Sequence, residues 1–449
     1  MKSITDHVFY RAPAERYPFA IRSEGVYIYD QEGKRYLDGA AGGGALVSNI
    51  GHGVSEVVEA MAQQAKTLTF AHGSRFTTHP QEEFAEAIVS MASGDLSRVY
   101  FVSGGSEATE TALKMARQYH VERGNITKHK VIARWISFHG NTLGALSMTG
   151  HVARRRLYDP YLLDFPHIPP AYCYRCPYDS TYPDCSLKCA HALEDAILMA
   201  GPENVSAFIA EPVVGAAAAA IHPPPEYFSI IRGICDNYDV LLITDEVMCG
   251  CGRTGRYFAI DHWGVVPDLV ATAKGLGSGY VPLGAVVARS EVFKTFEKGS
   301  GRFQHGHTYQ GNPLACAVGL AVLRFTRDRR LVEKAAENGT YLLQKLEELR
   351  DGHPMVGDVR GKGLMLGMEF VRDKKAREPF PPQQKVGYLV ANAAFEEGLI
   401  VYPGAGSVDG QRGDHILIGP PLVIETSEID SLVKMLDLAL TKVEEKVLD

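Results

Sequence analysis

An α/β fold built on a mainly parallel sheet is what this sequence predicts, and three short apolar runs predict it. Residues 207–210, 240–243 and 269–273 are apolar throughout save for Thr272, and runs without polar alternation suit strands covered on both faces. Helix-patterned stretches separate them, as a layered α/β chain requires. Each run also delivers functional groups at its carboxyl end: Glu211-Pro212, Asp245-Glu246, and Lys274 in a loop holding Gly275, Gly277 and Gly279. Ligands of open α/β sheets gather along that edge.

At 449 residues the chain can bury a large core, and a prior of ~150 residues per domain gives two or three units. Its 45% hydrophobic and 22% charged residues are globular values, which exclude a disordered or fibrous chain. A formal net charge of -7 offers no basic field for nucleic acid, which points to small-molecule partners. The opening MKSITDHVFYRAPAERYPFAI lacks the uninterrupted apolar core of a secretory signal, and no apolar run approaches the ~18 residues that span a bilayer. The expectation is a cytoplasmic protein without membrane contact, whose eight cysteines remain thiols.

Taken in order, residues 25–40 read as two short strands about a Glu32-Gly33 turn, with Tyr27, Tyr29, Tyr36 and Leu37 as β-formers. The following AAGGGALVSNIGHG has too many glycines for a stable helix and predicts backbone passing close to a ligand or a neighbouring chain. Helical patterning starts near Ser55 and resumes after Thr78-His79-Pro80, where Phe84, Ala87, Ile88 and Met91 recur at helical spacing. Residues 99–102 form a strand that runs into SGGSEATETALKMARQY, where Ala108, Ala112, Met115, Ala116 and Tyr119 mark one helix face. Ser103, Gly104, Gly105 and Ser106 therefore occupy a strand-to-helix turn, where free N–H groups and the helix dipole favour an anion such as a phosphate. A plain glycine turn with a serine cap is the other reading of those residues. Residues 131–138 predict a further strand ending in Phe138-His139-Gly140, with Phe138 either stacked on a flat ring or simply part of the core.

Towards the carboxyl end, Leu364, Leu366, Met368 and Phe370 alternate with Met365, Gly367 and Glu369, as in a sheet covered on one face. Ile429, Leu432, Val433, Leu436 and Leu440 form a helical stripe behind Thr426-Ser427, which can cap it.

The carboxylate of Asp245 and the amine of Lys274, at neighbouring strand ends, suggest one chemistry. A lysine in a low-dielectric neighbourhood loses its proton readily and attacks an aldehyde. Pyridoxal phosphate needs such a lysine as its Schiff-base partner, and a carboxylate to hold a proton on its pyridine nitrogen. The alternative is that Asp245 caps a turn and Lys274 is a surface lysine.

Seven segments together carry a resemblance: SGGSEATETA, SFHGNTLG, AEPVVG, LLITDEV, ATAKGLGSGYVPLGAV, HTYQGNP and VRGKGLMLGMEF. In these the chain resembles, over nearly its full length, the class III aminotransferases of the ω-amino acid:pyruvate type, which are fold-type-I pyridoxal-phosphate enzymes. The resemblance implies that Gly105 and Ser106 bind the cofactor phosphate, with Phe138 on one ring face and Val247 on the other. His139 and Gly140 complete the aromatic motif. Glu211 would help fix the ring substituents, Asp245 would pair with the pyridine nitrogen, and Lys274 would be the Schiff-base lysine and proton shuttle. Thr308 would reach the phosphate held by the second subunit of a homodimer, or of a dimer of dimers. The implied layout is a large cofactor domain over residues 63–324 and a smaller α+β domain built from residues 1–62 and 325–449.

Two departures bear on substrate. Many relatives that use 2-oxoglutarate have a glutamate directly after the glycine of EPxxG, where it pairs with a substrate-binding arginine; this sequence has Ala216. That absence favours pyruvate as the keto-acid acceptor, and Arg412 is the candidate arginine for its carboxylate. Tyr17, Phe19, Arg75 and Phe76 are candidates for the wall facing the amine or ω-amino acid donor. The second departure is CYRCPYDSTYPDCSLKC, in which Cys173, Cys176, Cys185 and Cys189 could close a tetrahedral zinc site. The second pair is loosely spaced and the family's chemistry needs no metal, so none is expected. A decarboxylase, epimerase or phospho-lyase of the same family is the alternative function. A catalytically silent binding protein would lack the lysine.

Overall fold

The computed structural model describes residues 7–448. Its strands are Ala20–Glu24 (β1), Tyr27–Asp30 (β2), Arg35–Asp38 (β3), Leu96–Val102 (β4), Lys130–Arg134 (β5), His167–Ile168 (β6), Val205–Ala210 (β7), Leu241–Asp245 (β8), Leu269–Ala273 (β9), Gly284–Arg289 (β10), Val356–Lys362 (β11), Met365–Phe370 (β12), Leu399–Ile400 (β13), Tyr402–Ala405 (β14) and Asp414–Ile418 (β15). Among the described residues these form three sheets, the central one ordered β4-β10-β9-β8-β7-β5-β6. Strands β6, β5, β7, β8 and β9 pair in parallel, and β10 runs antiparallel between β9 and β4.

Every residue of β7, β8 and β9 is buried, which is why their sequence shows no polar alternation. Side chains still alternate between faces. Phe208, Leu242 and Val270 enter one apolar cluster, while Ala207, Ile209, Leu241, Ile243, Leu269 and Ala271 enter another across the sheet. Helix Gly105–Glu122 covers the second face through Ala108, Ala112, Met115, Ala116 and Tyr119, the face that its sequence spacing predicts.

A separate core draws on both ends of the chain: Val26, Leu37, Ile50 and Val57 pack with Leu366, Phe370, Leu432 and Leu436. Strand β13 completes that union by pairing in parallel with β3. Among the described residues no helix is long and apolar enough to cross a membrane.

Three local expectations are corrected. The strand expected over 131–138 stops at Arg134, because Ile136 takes a left-handed φ of 57° and turns the chain out of the sheet. That turn carries Phe138 and His139 towards the ligand edge. Strand β12 is buried on both faces, not one: Met365 joins the central core, Leu366 the second core, and Glu369 is taken up by ion pairs. The last helix, Thr426–Val447, is capped not by Thr426-Ser427 but by a reciprocal box, in which Glu425 and Glu428 each accept the other's backbone N–H.

Candidate active site

The carboxyl ends of β4, β5, β7, β8 and β9 converge on one cavity of about 280 Å³. It is built first from glycine. Ala108 is the residue whose N–H bonds back to the Gly104 carbonyl, at 3.0 Å, so the N–H groups just before it, at the start of helix Gly105–Glu122, have no acceptor within the helix. Gly104 provides no side-chain cap, and the turn is left open to an anion. A Cβ on Gly105 would lie 2.7 Å from Cγ1 of Val247, and one on Gly140 (φ 134°) would lie 2.6 Å from Oγ of Ser106. Both glycines are therefore required by close approach. Ser106 Oγ in turn accepts the N–H of Asn141 at 3.0 Å, tying the phosphate-type turn to the Phe138-His139-Gly140 loop.

The polar floor comes from three strand ends. Asp245 Oδ1 accepts the Val247 N–H at 3.0 Å, and its Oδ2 stands 2.7 Å from Nδ1 of His139. Both side chains are buried. Glu211 spans two loops, accepting the Phe138 N–H at 2.9 Å and the Gly215 N–H at 2.8 Å. Burial first, and the neighbouring Asp245 carboxylate second, raise its pKa above the usual carboxylate range. Lys274 lies directly after β9 in a left-handed conformation, φ 47°, an uncommon geometry for a residue with a side chain. Burial lowers its pKa from 10.5 to about 8; the carboxylates of Asp245 and Glu211 oppose that shift, and the positive charge of Arg154 adds to it.

The cavity lining thus gathers Gly105, Ser106, Phe138, His139, Gly140, Glu211, Asp245, Val247 and Lys274, nine positions picked out in the sequence, and Ala216 joins them. Two others are not brought there. Thr308 lies exposed in a turn. Arg412 sits on the loop before β15 with its side chain 53% exposed, and its Nε is held 2.7 Å from Oδ2 of Asp409. Tyr17, Phe19 and Phe76 are exposed on this single chain. Arg154, adjacent to Phe138, carried no sequence signal beyond standing in a run of three arginines. Cys173, Cys176, Cys185 and Cys189 are free thiols, and among the described residues no three metal-ligating side chains converge. A larger depression of about 990 Å³, beside helices Ser55–Thr67, His79–Ser90 and Pro313–Asp328, contains none of these groups.

This donor set fits pyridoxal phosphate: an amine that is easily deprotonated, a buried carboxylate fixed by a histidine, open backbone N–H groups for a phosphate, and apolar Phe138 and Val247 for a ring. The open, mostly parallel sheet is that of the fold-type-I transferases. The chain belongs to the class III aminotransferases, whose family model, aminotransferase class-III, matches residues 10–440. It is 41% identical over 416 residues to a putrescine–pyruvate aminotransferase of Pseudomonas aeruginosa, covering 92% of this chain and 88% of that one. It is 39% identical over 428 residues to a diaminobutyrate–2-oxoglutarate transaminase of Halomonas elongata, covering 94% and 89%. Among solved structures, an (S)-enantioselective omega-transaminase from Thermomicrobium roseum superposes with a TM-score of 0.90 at 39% identity, covering 98% of this chain and 96% of that one.

Proposed function

We propose that this aminotransferase uses pyridoxal phosphate to move an amino group from an amine or ω-amino acid to a keto acid, pyruvate. The observation that carries the reading is the pairing of Lys274, its amine withdrawn from water, with the buried Asp245 one strand away. When bound, the cofactor supplies an aldehyde and an electron sink. Lys274 Nζ would hold that aldehyde and, once displaced by the donor amine, would carry the proton from the donor's amine-bearing carbon to the former aldehyde carbon. Asp245 holds a proton on the ring nitrogen, and His139, through Nδ1, fixes which way the carboxylate faces. Phe138 and Val247 offer apolar surface to the ring, and the turn at Gly105 and Ser106 offers N–H groups to the phosphate.

Glu211 acts mainly by position, since both of its oxygens hold loop backbone. Thr308, exposed here, serves the phosphate of a second copy in a homodimer. Exposed apolar side chains such as Phe19, Ile21, Phe70 and Phe76 support that pairing.

Relatives named for pyruvate and for 2-oxoglutarate stand at similar identity, so the acceptor assignment rests on Ala216. That residue lines the cavity with a methyl group, where the resemblance gives 2-oxoglutarate users a glutamate that pairs with a substrate-binding arginine. The test is a pair of half-reactions followed by absorbance. A panel of amines should bleach the cofactor's aldehyde band, and pyruvate should restore it faster than 2-oxoglutarate. Faster recovery with 2-oxoglutarate overturns the acceptor assignment, and a panel that leaves the band intact overturns transamination.

A further inference from the structure

Three consecutive arginines follow the Phe138 loop, and their fates differ. Arg155 is absorbed by the fold: its Nη1 donates to the carbonyls of Leu146, Ser147 and Thr149, and its Nε pairs with Asp159 at 3.8 Å. Arg156 is exposed. Arg154 takes neither course. Its guanidinium carbon stands 4.4 Å from the centre of the Phe138 ring, and its Nη2 is 3.4 Å from the hydroxyl of Tyr402. Among the described residues it has no carboxylate partner, whereas Arg412, Arg175 and Arg360 are each paired, with Asp409, Glu369 and Asp358.

We propose that Arg154 receives the carboxylate of the keto-acid acceptor, the role that the sequence alone gives to Arg412. Four observations converge on it. Phe138 lines the cavity, so a cation on that ring stands at the cavity's margin. The charge of Arg154 is felt at Lys274, which places it within electrostatic reach of the reacting amine. Its half-buried guanidinium has donors to spare, because one long contact to a tyrosine hydroxyl leaves the planar fork free for a bidentate carboxylate. Arg412 would first have to give up Asp409.

This rests on the transamination reading above, and its test separates the two. Holoenzyme is titrated in both half-reactions, with putrescine as a donor lacking any carboxylate and with pyruvate as acceptor. If the parent protein fails with putrescine and with every other amine of the panel, the transamination reading fails. If the parent runs both halves, Arg154→Gln should raise the apparent Kd for pyruvate by about ten- to a hundredfold. That rise should exceed any change for putrescine by at least tenfold. Arg154→Lys, which keeps the charge without the fork, should recover part of the affinity. Equal weakening of both halves in Arg154→Gln, with Arg154→Lys behaving the same way, would mark a structural residue and overturn the proposal. So would an unchanged pyruvate Kd.

Discussion

Lys274 offers the most quantitative test of the site. Its pKa of about 8, against 10.5 for an ordinary lysine, changes the supply of neutral amine at pH 7. At a pKa of about 8 roughly one amine in ten is neutral, against roughly one in three thousand at the ordinary value, an advantage of about 300-fold. Capture of pyridoxal phosphate by the cofactor-free protein requires the neutral amine. Its rate, followed by stopped-flow absorbance, should therefore climb about tenfold per pH unit up to about pH 8 and then level off. The same cofactor reacting with n-butylamine corrects for the cofactor's own ionisation. The neighbouring charges fix the signs of two variants: Asp245→Asn removes an anion that favours the ammonium and moves the midpoint down, whereas Arg154→Gln removes a cation that disfavours it and moves the midpoint up. A corrected rate that still climbs at pH 10 would refute the claim that burial controls this lysine.

Asp245→Asn should retain the cofactor yet lower kcat by about two to four orders of magnitude, since a neutral amide cannot hold the ring proton; an unchanged kcat would reduce Asp245 to a turn residue. Gly105→Ala should weaken cofactor binding, read from the dissociation constant by absorbance titration, because the new methyl lies 2.7 Å from Val247 Cγ1. Adding Val247→Ala should return part of the loss, and failure to do so would place the cause elsewhere. Glu369→Gln should lower unfolding stability in urea by about 3–5 kcal/mol, as breaking a buried ion pair does, because Arg175 and Arg360 both lose the carboxylate they contact.

The strands that build the site were legible because burial on both faces leaves a simple mark. Residues 269–273 were bounded correctly from composition alone, and 240–243 missed the observed strand by one residue at its start and two at its end. What escaped was decided by contacts between distant segments. Nothing in FHGNTLG tells that the preceding strand stops four residues before Phe138; the left-handed turn at Ile136 does that. The one-sided reading of β12 failed because Glu369 looks like a solvent residue until Arg175 and Arg360, 194 and 9 residues away, come to meet it. Arg412 stands out by its loop, and in the folded chain its Nε is held by Asp409 and it is not among the residues lining the cavity. Arg154 carries no mark in the sequence because only the folded chain shows which of three arginines lies against Phe138.

The wall that bears on acceptor choice is fixed from two directions. On the cavity side, Glu211 holds the Gly215 N–H just ahead of Ala216. On the far side, Arg360 donates to the carbonyls of Ala218 and Ala219 and is itself held by Asp358 on β11 and Glu369 on β12. Strand β12 presses so closely on this loop that any side chain at Gly367 would collide with the Ala219 carbonyl. The loop therefore cannot shift towards a second carboxylate without disturbing an ion-pair network in the other core. Ala216 is held at the end of this path, so on the proposed pyruvate reading relaxation of the loop alone would not make room for the second carboxylate of a five-carbon diacid. On the proposed pyruvate reading, the wall that carries Ala216 is held in place by β11 and β12, two strands that contribute no side chain to the cavity itself.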